Sequence, residues 1–307
     1  MKSMTRMYDL IIIGAGPAGI TAAIYAARRK VNTLVLSKDI GGQAATTGEI
    51  ENYTGFTVVT GAELAKKFSE HIKEFDVNIK EGEEVKKVEK KGREFRVKTS
   101  KGEYEAKALI IATGAKPKKL GVPGEDEYLN KGVAYCATCD APLFAGRDVA
   151  VVGGGNAALK SAIQLMNIAK KVYIINLNND ISGEAVMKDK VLAHKNVKII
   201  SNAKTTGIFG KKFVSGIRYE KDGKVQEIKV GGVFIEIGYV PSSDLINFVE
   251  KNGCKEIKVG CNSHTNVSGL FAAGDVSDVP YKQIIIAAGE GCKAALAAFD
   301  YLIKKKQ

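Results

Sequence analysis

The feature that most constrains this chain is a glycine-rich turn that occurs twice, each time between a short apolar run and a small-residue helical pattern. Residues 8–13 are apolar and rich in β-branched side chains, which predicts a strand; GAGPAG follows at 14–19, and Ile20, Ala23, Ile24 and Ala27 then recur at helical spacing. A second strand predicted over 32–36 completes a βαβ unit of the length that a dinucleotide fingerprint requires. The pattern returns as a strand over 148–152, GGGNAA at 153–158, a helix with Ala158, Ala162, Leu165 and Ala169 on one face, and a strand over 172–175. A chain of 307 residues is long enough for two domains with cores of their own.

The turn glycines have separable duties. The first permits the tight turn, the second lets backbone amides approach a pyrophosphate, and the third allows close helix packing, with the helix N-terminus facing the negative charge. Gly14, Gly16 and Gly19 fit these duties in the first turn; Gly153 and Gly155 do so in the second, with Ala158 as a small third residue. The acid that usually holds a ribose hydroxyl is missing after the first unit, where Ser37 and Lys38 stand. After the second, Ile175 is followed by Asn176, Leu177, Asn178, Asn179 and Asp180. That segment has neither the acid of an NAD site nor the arginine of an NADP site. A nucleotide-type domain that keeps its shape without binding a dinucleotide tightly stays open as the alternative.

Chemistry beyond nucleotide binding is concentrated at YCATCD. Of the five cysteines, only Cys136 and Cys139 have C-x-x-C spacing, which points to a reduced, cytoplasmic protein with one working pair. A thiol at a helix N-terminus has a lowered pKa and attacks disulfides near neutral pH. A zinc half-site is disfavoured, because Cys254, Cys261 and Cys292 form no second C-x-x-C and there are only three histidines, so no metal is expected. Those three cysteines read as packed or inert thiols. Asp140, next to the pair, reads either as a helix-cap residue or as an acid/base for thiol protons.

The formal charge of +12 does not point to nucleic acid, since lysines are scattered among glutamates and the longest basic run is Lys304, Lys305 and Lys306. A diffuse positive field still favours an acidic protein partner. The apolar stretch 10–27 is broken by Gly14, Gly16, Pro17 and Gly19 into a strand and a helix, so no membrane span is expected. Between the two units, 84–97 and 103–112 read as strands, ending in IIATGAKP at 110–117; strands follow at 197–200, 214–219, 227–230 and 232–237. The tail holds GLFAAGD at 269–275 and a helix over about 283–302.

The order of these motifs resembles that of low-molecular-weight thioredoxin reductases: GAGPAG, GGQ at 41–43, ENYTGF at 51–56, ATG at 112–114, CATCD, GGGNAA, GLFAAGDV, and KQ before an alanine-rich helix. The resemblance covers nearly the whole chain. It implies an α/β fold of two Rossmann-like dinucleotide-binding domains, the second inserted into the first: a split FAD-binding domain over 1–116 and 247–307, and an inserted NAD(P)H-type domain over 117–246 that carries the cysteine pair. Carried over by motif, Gly14, Gly16 and Gly19, with Pro17 and Ala18 between them, hold the FAD pyrophosphate. Gly42, Gln43 and Asn52 lie along the flavin, Asp275 binds near the ribitol, and Gln283 contacts the flavin edge. Thr113, Gly114, Gly274 and Lys282 belong to the same cofactor site, and Gly153, Gly155, Asn156 and Ala158 to the dinucleotide site.

The resemblance also implies the chemistry. Electrons pass from FAD to the disulfide, with Cys139 nearer the flavin, Cys136 attacking the substrate disulfide and Asp140 managing the proton. The expected partner is thioredoxin or a thioredoxin-like protein, and the expected assembly a homodimer. One departure stands out: members that use NADPH carry a histidine and arginines where this chain has Asn176 to Asp180, and Ser182 replaces a further arginine. The donor is therefore open between NADPH, NADH and a low-potential donor such as a reduced deazaflavin or ferredoxin. A peroxide-system reductase of the same superfamily is set aside on length, because those carry a long N-terminal extension and this chain begins six residues before its first strand. A small-molecule dithiol oxidase would keep FAD and the cysteine pair while running electrons to oxygen, and a non-catalytic flavin redox sensor would keep both without a protein disulfide substrate; both readings stay open.

Overall fold

A computed structural model of the protein describes residues 7–47, 49–135 and 137–305; the side chains of Glu49, Thr138 and Cys139 are outside that description. The chain divides into two units, one formed by Met1–Lys116 with Val240–Gln307 and the other by Pro117–Tyr239.

The first unit opens with β1 (Met7–Ala15), α1 (Pro17–Arg28) and β2 (Thr33–Ile40). A 3-10 turn at Gly42–Thr46, the short pair β3 (Glu49–Ile50) and β4 (Val59–Thr60), α2 (Gly61–Lys73) and β5 (Asn78–Glu81) come next, before β6 (Val85–Lys91), β7 (Glu94–Thr99) and β8 (Glu103–Ile111). β9 (Ala115–Pro117) contains the crossing into the second unit. There the chain forms β10 (Val133–Ala134), α3 (Ala137–Asp140), β11 (Asp148–Val152), α4 (Asn156–Met166), β12 (Lys171–Ile175), α5 (Ala185–Ala193) and β13 (Val197–Ile200). β14 (Lys204–Gly210), β15 (Val214–Lys221), β16 (Lys224–Ile228) and β17 (Gly232–Ile235) complete it. β18 (Tyr239–Pro241) contains the return, and β19 (Leu270–Ala272) and α6 (Ile284–Lys304) end the chain.

In the first unit a seven-stranded sheet runs β5-β2-β1-β8-β7-β6, with β19 also paired to β8. β8 explains how two distant pieces of chain share one sheet. Its first half pairs antiparallel with β7, Phe95 opposite Ala106, and its last residues pair parallel with β19, Leu270 opposite Leu109. Alternation along β1 divides the core between the two faces. Leu10 and Ile12 join a cluster with the alanines of α1 and α6, while Ile11 and Ile13 join one with Val88, Val97, Ile246 and Ile257.

That second cluster corrects the expected boundary at 246/247. Ile246 is fully buried against the first unit's sheet, and the Val88 amide donates to the Leu245 carbonyl at 2.8 Å. Apolar burial thus draws residues 240–246 into the first unit.

The second unit has a five-stranded parallel sheet, β10-β17-β11-β12-β13, and a three-stranded antiparallel sheet, β14-β15-β16. β11 alternates in the same way, Val149 and Val151 facing α4 and Ala150 and Val152 facing the opposite cluster. Among the described residues no helix is long and apolar enough to cross a membrane, and the stretch 10–27 is split between β1 and α1.

Candidate functional site

The first glycine turn is shaped by contact with its own sheet. Gly14 has φ +106°, and a Cβ there would lie 2.3 Å from the Ala112 carbonyl oxygen; at Gly19 it would lie 1.9 Å from the Gly14 carbonyl oxygen. Both positions exclude a side chain. Gly16 differs, since the nearest atom to its hypothetical Cβ is the Gly41 carbonyl oxygen at 3.9 Å. Gly16 is the N-cap of α1, with no side-chain cap bond, and Pro17 occupies the first turn, where its missing N–H costs nothing. An α-helix N-terminus thus stays open to an anion beside a residue that leaves room for it.

Other sequence motifs converge on this end of the sheet. Where the ribose acid was sought, Ser37 instead closes the turn: its hydroxyl accepts from the Ala15 amide at 3.1 Å and donates to the Asp39 carbonyl at 2.6 Å. Lys38 pairs with Glu84 at 2.8 Å. Asp39, which the sequence reading passed over, accepts from the Gly42 amide at 3.1 Å, and a Cβ at Gly42 would lie 3.3 Å from Gly16 Cα. A Cβ at Gly114 would lie 3.8 Å from Gln43 Nε2, while the neighbouring Thr113 hydroxyl donates to the Ser242 carbonyl at 2.8 Å.

The chain's tail contributes the rest. Asn52 Nδ2 donates to Gln283 Oε1 at 3.1 Å across 231 residues of sequence. Lys282 is bonded to the Ser277 carbonyl and pairs with Glu256 at 2.8 Å. A Cβ at Gly274 would lie 3.2 Å from the Ala18 methyl, so the tail's turn packs against α1. Asp275 follows; burial pushes its carboxyl above the usual range, and no described donor bonds to it. An uncapped helix N-terminus, an open glycine and a partly buried acid fit a dinucleotide cofactor with a pyrophosphate and a polyhydroxyl chain.

The second glycine turn is built alike but covered differently. Gly153 has φ +134°, and its hypothetical Cβ would lie 2.2 Å from the Glu236 carbonyl oxygen and 3.3 Å from the methyl of Ala158, which is fully buried. Gly155 is the N-cap of α4 and has no side-chain cap bond. Across this loop lies the segment 176–184. Asn176 is buried, its Oδ1 2.3 Å from where a Gly154 Cβ would stand, and its Nδ2 donates to the Asn178 carbonyl at 2.9 Å. The Ser182 amide donates to the Gly154 carbonyl at 2.7 Å, and the Glu184 amide to Asn156 Oδ1 at 2.8 Å. Asp180 and Glu184 are exposed, and the segment contains no cation. Of Lys170 and Lys188, which stand on either side of it in sequence, Lys170 is remote, at the opposite end of β12, roughly 20 Å from Asn176 at about 3.3 Å per residue, whereas Lys188 stands in the first turn of α5 with its amide donating to the Glu184 carbonyl at 3.1 Å.

Of the redox motif, Cys136 lies outside the described residues, as does the Cys139 side chain. The backbone of Ala137–Asp140 forms the short α3, followed by a 3-10 turn at Ala141–Phe144. Asp140 is half-buried, and burial raises its carboxyl above the ordinary range. Of the expectation that the remaining cysteines are packed or inert, the packed half fails for two: Cys254 and Cys261 are exposed on loops, while Cys292 on α6 is half-buried.

The sequence reading missed Glu236, which is buried and accepts a hydrogen bond from the Ser161 hydroxyl of α4. Burial raises its carboxyl to about 7. The available signal was a single acid within the apolar run GVFIEIG at 232–238.

Comparison with known proteins places this architecture. Residues 8–291 match the profile of a family described as pyridine nucleotide-disulphide oxidoreductase. The F subunit of alkyl hydroperoxide reductase from Escherichia coli is 42% identical over 97% of this chain and 59% of its own length. The chain thus spans about three fifths of the curated relatives it matches, so its length does not separate it from peroxide-system reductases. Among solved structures, thioredoxin reductase from Lactococcus lactis aligns with a TM-score of 0.92 at 34% identity, covering 97% of this chain and 99% of that one. The T. acidophilum thioredoxin reductase aligns with a TM-score of 0.90 at 38% identity and the same coverage.

Proposed function

The chain belongs to the pyridine nucleotide-disulphide oxidoreductase family, and on that premise we propose that it passes electrons through FAD to a Cys136/Cys139 disulfide and on to a thioredoxin-like protein. The family and its thioredoxin reductase relatives bind FAD. The observation that carries the reading is the convergence, within one unit, of the motifs at 14–19, 41–43, 52, 113–114 and 274–283 around the open N-terminus of α1.

In this reading the amides at Gly16 and Ala18 face the pyrophosphate, and Gly14, Pro17 and Gly19 hold the turn that presents them. Asp275 would take hydroxyls of the ribityl chain, while Gly42, Gln43, Asn52, Thr113, Gly114, Gly274, Lys282 and Gln283 would line the flavin. FAD supplies a two-electron carrier. With FAD bound, Cys139 would be the thiol nearer the flavin, Cys136 would attack the partner's disulfide, and Asp140, its carboxyl already raised by burial, would move a thiol proton. Gly153, Gly155, Asn156 and Ala158 form the donor's dinucleotide site, with NADPH disfavoured by the absence of cations over 176–184. The protein is expected to be a homodimer, which light scattering checks.

The test is turnover. Cys136→Ser and Cys139→Ser each lose at least a hundredfold in thioredoxin reduction, on the order of 3 kcal/mol, while the flavin stays bound. Full turnover in either variant contradicts the reading. The 42% identity to a component of a hydroperoxide reductase favours one second reading, in which the dithiol serves a peroxide-reducing system. Parallel assays with thioredoxin and with a peroxiredoxin module separate the two.

A further inference from the structure

The inference rests on the reading of Asp275 as the acid that meets the ribityl chain of the cofactor. Asp275 does not stand alone. The loop 252–260 runs beside its turn: Ile257 lies opposite Ser277 in a parallel bridge, the Ile257 amide donates to the Val276 carbonyl at 2.9 Å, and the Asp278 amide donates to the Ile257 carbonyl at 3.0 Å. That register sets Glu256 level with Val276, one residue along from Asp275. A lysine, Lys282, follows on the same stretch of chain, directly before Gln283.

Two acids thus compete for one lysine, and Glu256 holds it. Glu256 Oε1 pairs with Lys282 Nζ at 2.8 Å, the two side chains being 20% and 32% exposed. Glu256 is fixed independently of the lysine. Asn252 Nδ2 donates to Glu256 Oε2 at 2.6 Å, while Asn252 Oδ1 accepts from the Glu256 amide at 3.0 Å and from the Cys254 amide at 2.9 Å. The Lys282 ammonium also bonds to the Ser277 carbonyl. Asp275 forms no ion pair among the described residues, yet both charges reach it: burial raises its carboxyl, Lys282 lowers it and Glu256 raises it. A carboxylate paired with a lysine has an oxygen committed to that bond, whereas an unpaired one keeps both oxygens for hydroxyl donors.

We propose that Glu256 is a positioning residue that holds Lys282 off Asp275 and so keeps the Asp275 carboxylate open to the hydroxyls of a bound cofactor. In this role Glu256 acts only through Lys282. Without the Glu256 charge the ammonium keeps one carbonyl partner and turns to the other carboxylate whose field it already feels, Asp275. The new ion pair then competes with ribityl hydroxyls for the same oxygens. A clamp that merely ties the loop 277–282 to the loop 252–260 behaves differently: losing the acid breaks it completely, so removing the lysine as well changes nothing further.

Apoprotein of the full chain is titrated with FAD, and affinity is read from flavin fluorescence. Glu256→Gln weakens FAD by about tenfold, the loss of one charge-assisted hydrogen bond. Adding Lys282→Met to Glu256→Gln tightens binding again, because no cation is left to occupy Asp275. In an Asp275→Asn background, Glu256→Gln costs nothing, since the acid it protects is gone. If Glu256→Gln does not fold, Glu256→Asp, one methylene short of Lys282, takes its place in both comparisons. Unchanged affinity in Glu256→Gln, a double variant that binds as weakly as Glu256→Gln, or an undiminished loss in the Asp275→Asn background overturns the proposal while the flavin reading stands. Wild-type apoprotein that takes up no FAD removes the flavin reading, and the proposal with it.

Discussion

A methyl added at Gly19 meets the Gly14 carbonyl oxygen at 1.9 Å, whereas one added at Gly16 finds its nearest neighbour at 3.9 Å. The two glycines are therefore predicted to fail differently. Gly19→Ala forces backbone against backbone, costs about 1–3 kcal/mol or more, and lowers both the melting temperature and the flavin content. Gly16→Ala leaves the apoprotein's melting temperature unchanged and lowers flavin content alone, because its methyl enters only the space an anion needs. Thermal unfolding of the two apoproteins, with visible absorbance of each as purified, checks this; equal losses of melting temperature would contradict it. Glu236 gives a second prediction at this scale. Its carboxyl rises from the ordinary 4.5 to about 7 in the folded protein. The folded state then keeps a proton that the unfolded chain has lost, so the wild type loses stability as pH climbs from about 4.5 to about 7 and holds level above. At about 1.36 kcal/mol per unit the loss is on the order of 3 kcal/mol. Urea unfolding at the two ends of that window, against Glu236→Gln, reads it; a gap independent of pH would contradict it.

The segment 176–184 acts as an element although most of it is irregular. Its backbone and its asparagine and serine side chains stitch it to the glycine loop, and it offers a 2′-phosphate only neutral donors beside Asp180 and Glu184. Charge-assisted bonds to a phosphate are worth about 1.5–3 kcal/mol each, so the lack of two such bonds weakens NADPH by about two to four powers of ten. Anaerobic flavin bleaching by NADPH, NADH, a reduced deazaflavin and reduced ferredoxin at matched concentrations checks this, and rapid bleaching by micromolar NADPH would contradict it. Asn178→Arg is predicted to recover part of the NADPH rate. These residues were legible in sequence because absent charges show in a string of letters. Their burial was not, since Asn176 reads as a surface residue until Gly154 is seen to leave room for it. α2 also escaped the sequence reading. Its apolar positions are few and lysines separate them, so its start is marked mainly by Thr60, which accepts from the Glu63 amide at 3.2 Å.

At the scale of the whole molecule, the two βαβ units were readable because each glycine turn fixes a strand before it and a helix after it. The partition of the chain was only partly so. Nothing local marks Leu245 and Ile246 as belonging to the first unit; their place depends on β6, about 160 positions earlier, through the Val88 amide. The meeting of Asn52 with Gln283 across 231 residues is non-local in the same way. Glu236 was visible as a letter but its burial was not, because that comes from Ser161 of α4, 75 positions earlier, packing over the end of β17. The central claim is that one chain holds a flavin and a dithiol that share electrons. Anaerobic titration with dithionite, followed by flavin absorbance and a thiol count, tests it most directly. Uptake of two electron pairs per chain is predicted, one stored in the flavin and one in the cysteine pair, falling to a single pair in Cys139→Ser. A folded protein that carries no flavin, or that takes up one pair with no new thiols at Cys136 and Cys139, would contradict it.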